Sequence, residues 1–570
     1  MRQVLILLCL GLVFIFNPQA HAQAGGAKTS AQFKAGMVVA DNPTAAQIGG
    51  RILEAGGDAV DAAVATAFAL GVVHPFASGI GGGGFAVVHR HDGAQIAFDF
   101  REVAPQSASQ DMFVDHQGKI VPGLSRHGAL AVAVPGEIAG LYHMHKRYGK
   151  LPWDTLIAPS IELARNGFVI SDILHWKMKE ALYHLRTSVL FPFMVQDGAR
   201  TRDAGMRMRL PPLADTLELI AKHGAEVFYR GVIATQIVNA VKGAGGVLSL
   251  KDLASYTVKE RTVLRAKFRD FEMITMPPPS SGGLVLIQAL RVLLGADLRT
   301  LGHNTTQYLH RLVESLKHGF ADRAREMGDP DFVSLDHQRF IGPKAIERVR
   351  SRFDPNQTKA STQYGAGTHI GSDGGTSHLS VVDRFGNAVA LTTTINTGFG
   401  SRFVAGSTGI VLNNQMDDFV AQPGTPNSFG LIGHVSNAIA PRKRPLSSMS
   451  PTILLKNKKP FLVIGASGGP MIISSTLQVM LNIIVFGMSP RLAVDATRIH
   501  HQWMPEHIFI EPGSALKWRS GLKALGHRLF EKARFSSVQV IYMTDDEPRG
   551  GADASKGGAA YLEAVREMKP

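Results

Sequence analysis

The sequence is short of the groups on which many protein chemistries depend. It holds one cysteine in 570 residues, Cys9, and that residue lies in an apolar leader. Residues 23–570 therefore carry no thiol, which excludes a disulfide framework, a cysteine zinc site and a cysteine nucleophile. Charged residues make up only 19% of the chain against 45% hydrophobic ones, far from the profile of a disordered protein. After the leader no run reaches the ~20 apolar residues that a bilayer crossing needs. Residues 477–486 come nearest, but Gln478 and Asn482 interrupt them; this pattern predicts a buried helix, and no membrane anchor is expected. Acidic residues are outnumbered, 46 against 60 Lys and Arg. Yet the basic runs Arg442-Lys443-Arg444 and Lys456-Asn457-Lys458-Lys459 are too short for a nucleic-acid face, and the second lies between apolar runs as a hairpin turn does. Nucleic acid is not an expected partner.

The leader itself is informative. Residues 1–22 combine Arg2, an apolar run over 4–16 and a small-x-small exit at Ala20-His21-Ala22, the pattern of a cleaved secretory signal. Leu8 before Cys9 is too large for a lipid-attachment site. A mature chain beginning at Gln23 and located in the periplasm or secreted is expected.

Further along, the texture changes twice. Apolar spacing over 37–70 predicts helix, and helical patterns dominate 151–349, broken by Pro277-Pro278-Pro279-Ser280-Ser281-Gly282-Gly283. Residues 364–375 are small and polar and read as a flexible connector. The chain then turns to β-branched runs at 378–382 and 388–395, separated by Asp383-Arg384-Phe385-Gly386-Asn387, a hairpin signal. Strand-like runs at 409–412, 452–455, 461–464 and 538–543, with a helix after Gly469, complete an α+β pattern.

Three motifs offer weak chemistry. Gly79-Ile80-Gly81-Gly82-Gly83-Gly84 matches a dinucleotide fingerprint, but the strand-like Phe85-Ala86-Val87-Val88-His89 follows it instead of a helix. No cofactor is expected, and the glycines instead predict close approach of another chain segment. His143 and His145, or His500 and His501, lack a metal-site spacing; no metal is expected. Gly465-Ala466-Ser467-Gly468-Gly469 follows a strand-like run and precedes a helical one, as a serine-hydrolase elbow does. Its partners would be Asp495 with His500, or Glu531 with no later histidine, a poor layout for a triad. The same glycines can place two backbone N–H groups at a helix start, as an oxyanion hole requires.

The larger constellation lies in the last third: Thr376-Ser377-His378-Leu379-Ser380, Thr394-Ile395-Asn396-Thr397, Asn413-Asn414-Gln415-Met416-Asp417-Asp418-Phe419, Arg444-Pro445-Leu446-Ser447-Ser448-Met449-Ser450-Pro451, Gly468-Gly469 and His500-His501-Gln502-Trp503. With Asp99-Phe100-Arg101-Glu102 and the 277–283 run, these resemble γ-glutamyltransferase in order, spacing and residue type, from about residue 36 to the C-terminal region. The resemblance implies an N-terminal nucleophile hydrolase: a four-layer αββα sandwich of two chains cut from one precursor. The large chain would be 23–375 and the small chain 376–570, together a heterodimer.

The family pattern also implies roles. Thr376 matches the nucleophile and Thr394 its hydrogen-bonding partner, while Gly468 and Gly469 match the oxyanion hole. Arg101, Ser447 and Ser448 match binders of the donor's α-carboxylate; Asp418, with Gln415 and Asn396, matches the binder of its α-ammonium. The implied reaction moves the γ-glutamyl group of glutathione-like donors to water, amino acids or peptides. A related glutaryl or cephalosporin acylase would leave Asp418 idle, and a non-catalytic binding protein would not need Thr376 or Arg101. In the loop resembling the family's lid, Phe429 stands where many bacterial members have a tyrosine latch. The missing hydroxyl predicts a lid shifted toward open.

Overall fold

A computed structural model describes residues 36–364, 374–514, 516–532, 536–544 and 547–563. The leader and most of the connector over 364–375 lie outside the described residues. Two antiparallel sheets face each other between layers of helices. The first has seven strands in the order Ala559–Leu562, Met37–Ala40, Gly374–Val382, Ala388–Thr397, Gly83–His89, Gln95–Phe100 and Lys259–Arg261. The second has six: Pro548–Ala552, Ser537–Met543, Lys459–Ser467, Thr452–Lys456, Phe271–Thr275 and Leu264–Phe268.

Alternation along the strands divides the cores. Val38, Ala40, Leu379, Val381, Val389 and Leu391 pack with the helices Pro43–Glu54 and Ala59–Val73 on one side. Met37, Val39, Ala388 and Ala390 join the second sheet and the helices Gly282–Leu293, Thr306–Glu326 and Met471–Ile484. A strand buried on both faces reads as continuous apolar sequence rather than as alternating, which is why these runs stood out in the sequence. The 477–486 run lies largely in the buried helix Met471–Ile484, and Asn457 and Lys458 turn the chain at φ 51° and 63° between two paired strands.

Some expectations need correction. The helix read over 37–70 is a strand, Met37–Ala40, followed by two helices. Four residues are too few for periodicity to tell strand from helix; pairing with Gly374–Val382 decides. Asn42 then caps the first helix, accepting from the Thr44 amide at 2.9 Å, and Asp58 and Asp61 form a capping box on the second. Residues 409–412 form no strand, only a bridge of Val404 to Val411, because Gly409 turns the chain at φ 71°. Within the region read as helical, Lys259–Arg261, Leu264–Phe268 and Phe271–Thr275 are strands at the sheet margins.

The glycine run does what close approach requires. A Cβ on Gly82 would lie 2.0 Å from the Thr394 carbonyl oxygen, and one on Gly84 would lie 2.3 Å from that of Thr392. These contacts seat Ala388–Thr397 against its neighbour. Gly82→Ala is expected to cost roughly 1–3 kcal/mol by overpacking, read as a lower urea midpoint. Gly243→Ala, whose added carbon meets nothing within 4 Å, should leave the midpoint unchanged or slightly raised.

Candidate active site

The connector delivers the chain to Gly374–Val382, and the pairing of that strand with Ala388–Thr397 is irregular at its first residues. Gly375 faces Asn396 and Thr376 faces Thr394, leaving Ile395 as an extra residue on the partner strand. Such a bulge re-aims side chains, and Asn396 takes the left-handed φ of 82° beside it. Two successive residues, Gly375 and Thr376, therefore meet the same hydroxyl. Thr394 Oγ1 donates to the Gly375 carbonyl at 2.7 Å, lies 3.1 Å from Thr376 Oγ1 and accepts from the Asn396 amide at 2.8 Å. With its proton on the carbonyl, the Thr394 oxygen is left to accept from the Thr376 hydroxyl. Thr376 and Thr394 are both buried.

A small pocket opens beside this pair. It is lined by every residue to which the γ-glutamyltransferase resemblance gave a role except Gly468, which adjoins the lining residue Gly469. Gly468 and Gly469 adopt φ of 127° and 59° between the strand Lys459–Ser467 and the helix Met471–Ile484. Ser447 is held by the 277–283 run: its amide donates to the Pro279 carbonyl at 2.8 Å, and the Ser281 amide donates to the Ser447 carbonyl at 2.9 Å. Across the pocket Arg101 Nη2 meets Asp418 Oδ2 at 2.5 Å, with Arg101 Nε donating to the Pro445 carbonyl at 3.2 Å. Gln415 Nε2 also donates to Asp418, at 2.9 Å.

Burial raises the Asp418 carboxyl above its ordinary value, and Arg101 opposes that shift. Among the described residues, two buried polar atoms of the pocket lining have no hydrogen-bond partner, Gln415 Oε1 and Ser448 Oγ. One is an acceptor beside the carboxylate and the other a possible donor. Since buried polar atoms are rarely left without partners, the pair fits a ligand that presents both an N–H donor and an acceptor oxygen.

The elbow serine belongs elsewhere. Ser467 is fully buried, donating to Asp41 Oδ2 at 3.0 Å and accepting from Lys556 Nζ at 2.9 Å. Its possible triad partners are committed too. Asp495 pairs with Arg491 at 2.6 Å, and His500 bonds Ser474 and Gln502.

A family model described as gamma-glutamyltranspeptidase matches residues 45–562. The chain belongs to that family. It is 40% identical over 524 residues to a glutathione hydrolase proenzyme of Escherichia coli K12, covering 91% of this chain and 90% of that one. The solved cephalosporin acylase of Bacillus halodurans superposes with a TM-score of 0.82 at 29% identity, covering 96% of this chain and 99% of that one. The Helicobacter pylori gamma-glutamyltranspeptidase does so with a TM-score of 0.55 at 40% identity, covering 59% and 95%. The fold is thus the α+β N-terminal nucleophile hydrolase type.

The loop that resembles the family's lid is packed down in this structure. The loop is closed without a tyrosine hydroxyl: Phe429 is buried, and a Cβ on Gly469 would come within 2.8 Å of its ring. Two hydrogen bonds hold the loop's backbone. Gln502 Nε2 donates to the Phe429 carbonyl at 3.0 Å, and the Ser428 amide donates to Asp417 Oδ2 at 2.9 Å.

Arg323 was not among the sequence candidates. It lines the pocket from the helix Thr306–Glu326 and donates through Nε to Ser281 Oγ at 3.1 Å. Burial lowers its guanidinium to about 10. In sequence it sits in Asp322-Arg323-Ala324-Arg325-Glu326, which reads as an exposed helix end. The histidine motifs are structural: His143 meets Glu260 at 2.7 Å and His145 the Leu151 carbonyl at 2.7 Å. Elsewhere His310, Glu314 and His527 bring ligand atoms within 4.8 Å, but Lys317 Nζ lies 3.1 Å from Glu314 and takes the cation's place.

Glu102, next to Arg101, is fully buried with neither oxygen hydrogen-bonded by the described residues. Burial pushes its carboxyl up to about 8, with Arg101 opposing. A carboxyl raised in the folded state contributes stability that is complete below its unfolded value near 4.5 and is lost as pH rises through 8. Glu102→Gln removes this titration. The melting temperature of the variant relative to the natural protein is expected to rise steadily between pH 5 and 8; a difference independent of pH would contradict the buried neutral acid.

Proposed function

We propose that this chain is a self-processing γ-glutamyltransferase and glutathione hydrolase in which Thr376 serves as both the cleaving residue and the later nucleophile. The observation that carries the reading is the Thr394 hydroxyl, which touches the Thr376 hydroxyl and the Gly375 carbonyl at once. In the precursor Thr376 Oγ1 attacks the Gly375 carbonyl carbon; its proton passes to Thr394 as Thr394 gives its own to the carbonyl oxygen, and collapse of the adduct delivers that proton to the departing Thr376 nitrogen. The C–N bond breaks, the acyl group moves to oxygen as an ester, and water hydrolyses that ester. The products are a carboxylate on Gly375 and a free α-amine on Thr376, dividing the chain into 23–375 and 376–570 as a heterodimer.

That amine has a reference pKa near 8 and accepts the hydroxyl proton in each later turnover, so no histidine is needed. The donor's α-carboxylate goes to Arg101, Ser447 and Ser448, and its α-ammonium to Asp418, Gln415 and Asn396. Arg101 and Asp418 neutralise each other; a bound donor supplies each with a new partner of opposite charge, which limits the desolvation cost. Thr376 forms the γ-glutamyl ester, the amine product leaves, and water or an amino-acid or peptide amine takes the acyl group. Gly468 and Gly469 face the developing oxyanion.

The likeness to a cephalosporin acylase keeps the acylase reading in view. The unpartnered Gln415 acceptor beside Asp418 favours a donor with an ammonium instead. Residues 1–22 are read as a signal peptide, and the enzyme as periplasmic or secreted; N-terminal sequencing of secreted protein beginning at Gln23 would support this.

Thr376→Ala is expected to remain one uncut chain on a denaturing gel and to lack turnover. Normal cutting of that variant would remove Thr376 from both roles. Asp418→Ala is expected to lower kcat/KM for a γ-glutamyl donor at least about tenfold more than for a glutaryl donor, because only the first has an ammonium to pair. Equal losses on both donors would take Asp418 out of ammonium recognition.

A further inference from the structure

Ser467, in the strand–helix elbow, is unused by the reaction above, yet it is tied to a buried cation. Lys556 lies in the short turn Ala554–Lys556 near the C-terminus and is itself buried. Its Nζ donates to the Thr376 carbonyl at 2.8 Å and to Ser467 Oγ at 2.9 Å. Ser467 in turn donates to Asp41 Oδ2 at 3.0 Å. Asp41 also accepts from Ser537 Oγ at 2.8 Å, Gln539 Nε2 at 2.6 Å and the His378 amide at 3.2 Å. The ladder with Met37–Ala40 ends opposite Leu379, short of Thr376, and the lysine takes over at the Thr376 carbonyl.

Resting on the reading of Thr376 as nucleophile, we propose that Lys556 is a positioning residue with two effects: it fixes Thr376 through its carbonyl, and its charge keeps the freed α-amine neutral. A residue's nitrogen lies within ~4 Å of its own carbonyl oxygen by covalent geometry. The Lys556 ammonium is therefore a close like charge to any protonated Thr376 amine and disfavours that form. Asp41 is the opposing charge, held one hydroxyl away through Ser467.

The other ionisable neighbours do not offset Lys556. His74, beyond the helix Ala59–Val73, and His378, on the nucleophile strand, are both held neutral by burial at about 3. Asp553, in the same turn, pairs with Arg498 at 2.7 Å. Across the pocket Arg101 and Asp418 are paired, and Arg323 adds positive charge. The sign follows: removing the Lys556 charge raises the amine's pKa, so the base is lost at a higher pH.

The test compares Lys556→Gln, which retains a hydrogen-bond donor without charge, with Ser467→Ala, which retains the charge but removes one of its anchors. Processed enzyme is assayed with a γ-glutamyl donor from pH 5 to 10. For Lys556→Gln the acid limb of kcat/KM is expected to move up by about one pH unit, with donor KM within about twofold of the natural value because Lys556 does not line the pocket. Ser467→Ala should show a smaller shift in the same direction. An acid limb unmoved in Lys556→Gln, or a loss confined to KM, overturns the proposal. If Lys556→Gln stays uncut, Ser467→Ala decides, and a natural pH profile in it overturns the proposal. An active Thr376→Ala variant would instead bring down the nucleophile assignment, so the two failures are distinct.

Discussion

Side chains of a β-strand alternate between two faces, so two successive residues do not ordinarily present their reacting groups to one neighbour. The bulge at Ile395 breaks that constraint once. It brings the Gly375 carbonyl and the Thr376 hydroxyl to the single hydroxyl of Thr394, the juxtaposition that self-cleavage needs. Neighbouring segments pack closely on this irregular junction. Gly82 and Gly84 let a neighbouring strand close to the backbone of Thr392 and Thr394, and the second sheet brings Gly468 and Gly469 to the open end.

The charged side of the pocket answers to a different constraint. A guanidinium and a carboxylate buried together are stable only when each has a partner. Arg101 and Asp418 meet that condition by pairing with each other, with the Pro445 carbonyl and Gln415 Nε2 as further partners. A ligand bearing one charge could satisfy only one of them, whereas an amino-acid end bearing both charges satisfies the two together. On the proposed reading, specificity for the zwitterionic end of a donor rests on the cost of leaving either charge alone.

The same reasoning separates residues that look alike in sequence. Arg442-Lys443-Arg444 suggests a basic patch, yet Lys443 and Arg444 are buried. Lys443 donates to the Ser436 and Ala438 carbonyls, and Arg444 faces Asp99 at 3.2 Å. Ser467 in its glycine-flanked motif suggests a nucleophile and is a fully bonded core hydroxyl. Phe429 lacks a hydroxyl, and the loop around it is held by bonds to the backbone of Ser428 and Phe429, which any side chain leaves intact.

The sequence by itself determined the hairpin at residues 383–387, the strands on either side, the buried 471–484 helix and, through ordered motifs, the residues that line the pocket. These rest on local signals: β-branched runs, turn residues and short motifs whose chemistry is carried by residue type. Only the tertiary structure decided that Met37–Ala40 is a strand, that Arg323 lines the pocket from an apparently exposed helix end, and that Lys556 reaches Thr376 from the far end of the chain. Four residues carry too little periodicity to choose their own conformation, and neither the burial of a charge nor a contact across 180 residues leaves a mark in local sequence, since both arise when distant strands pair and sheets stack.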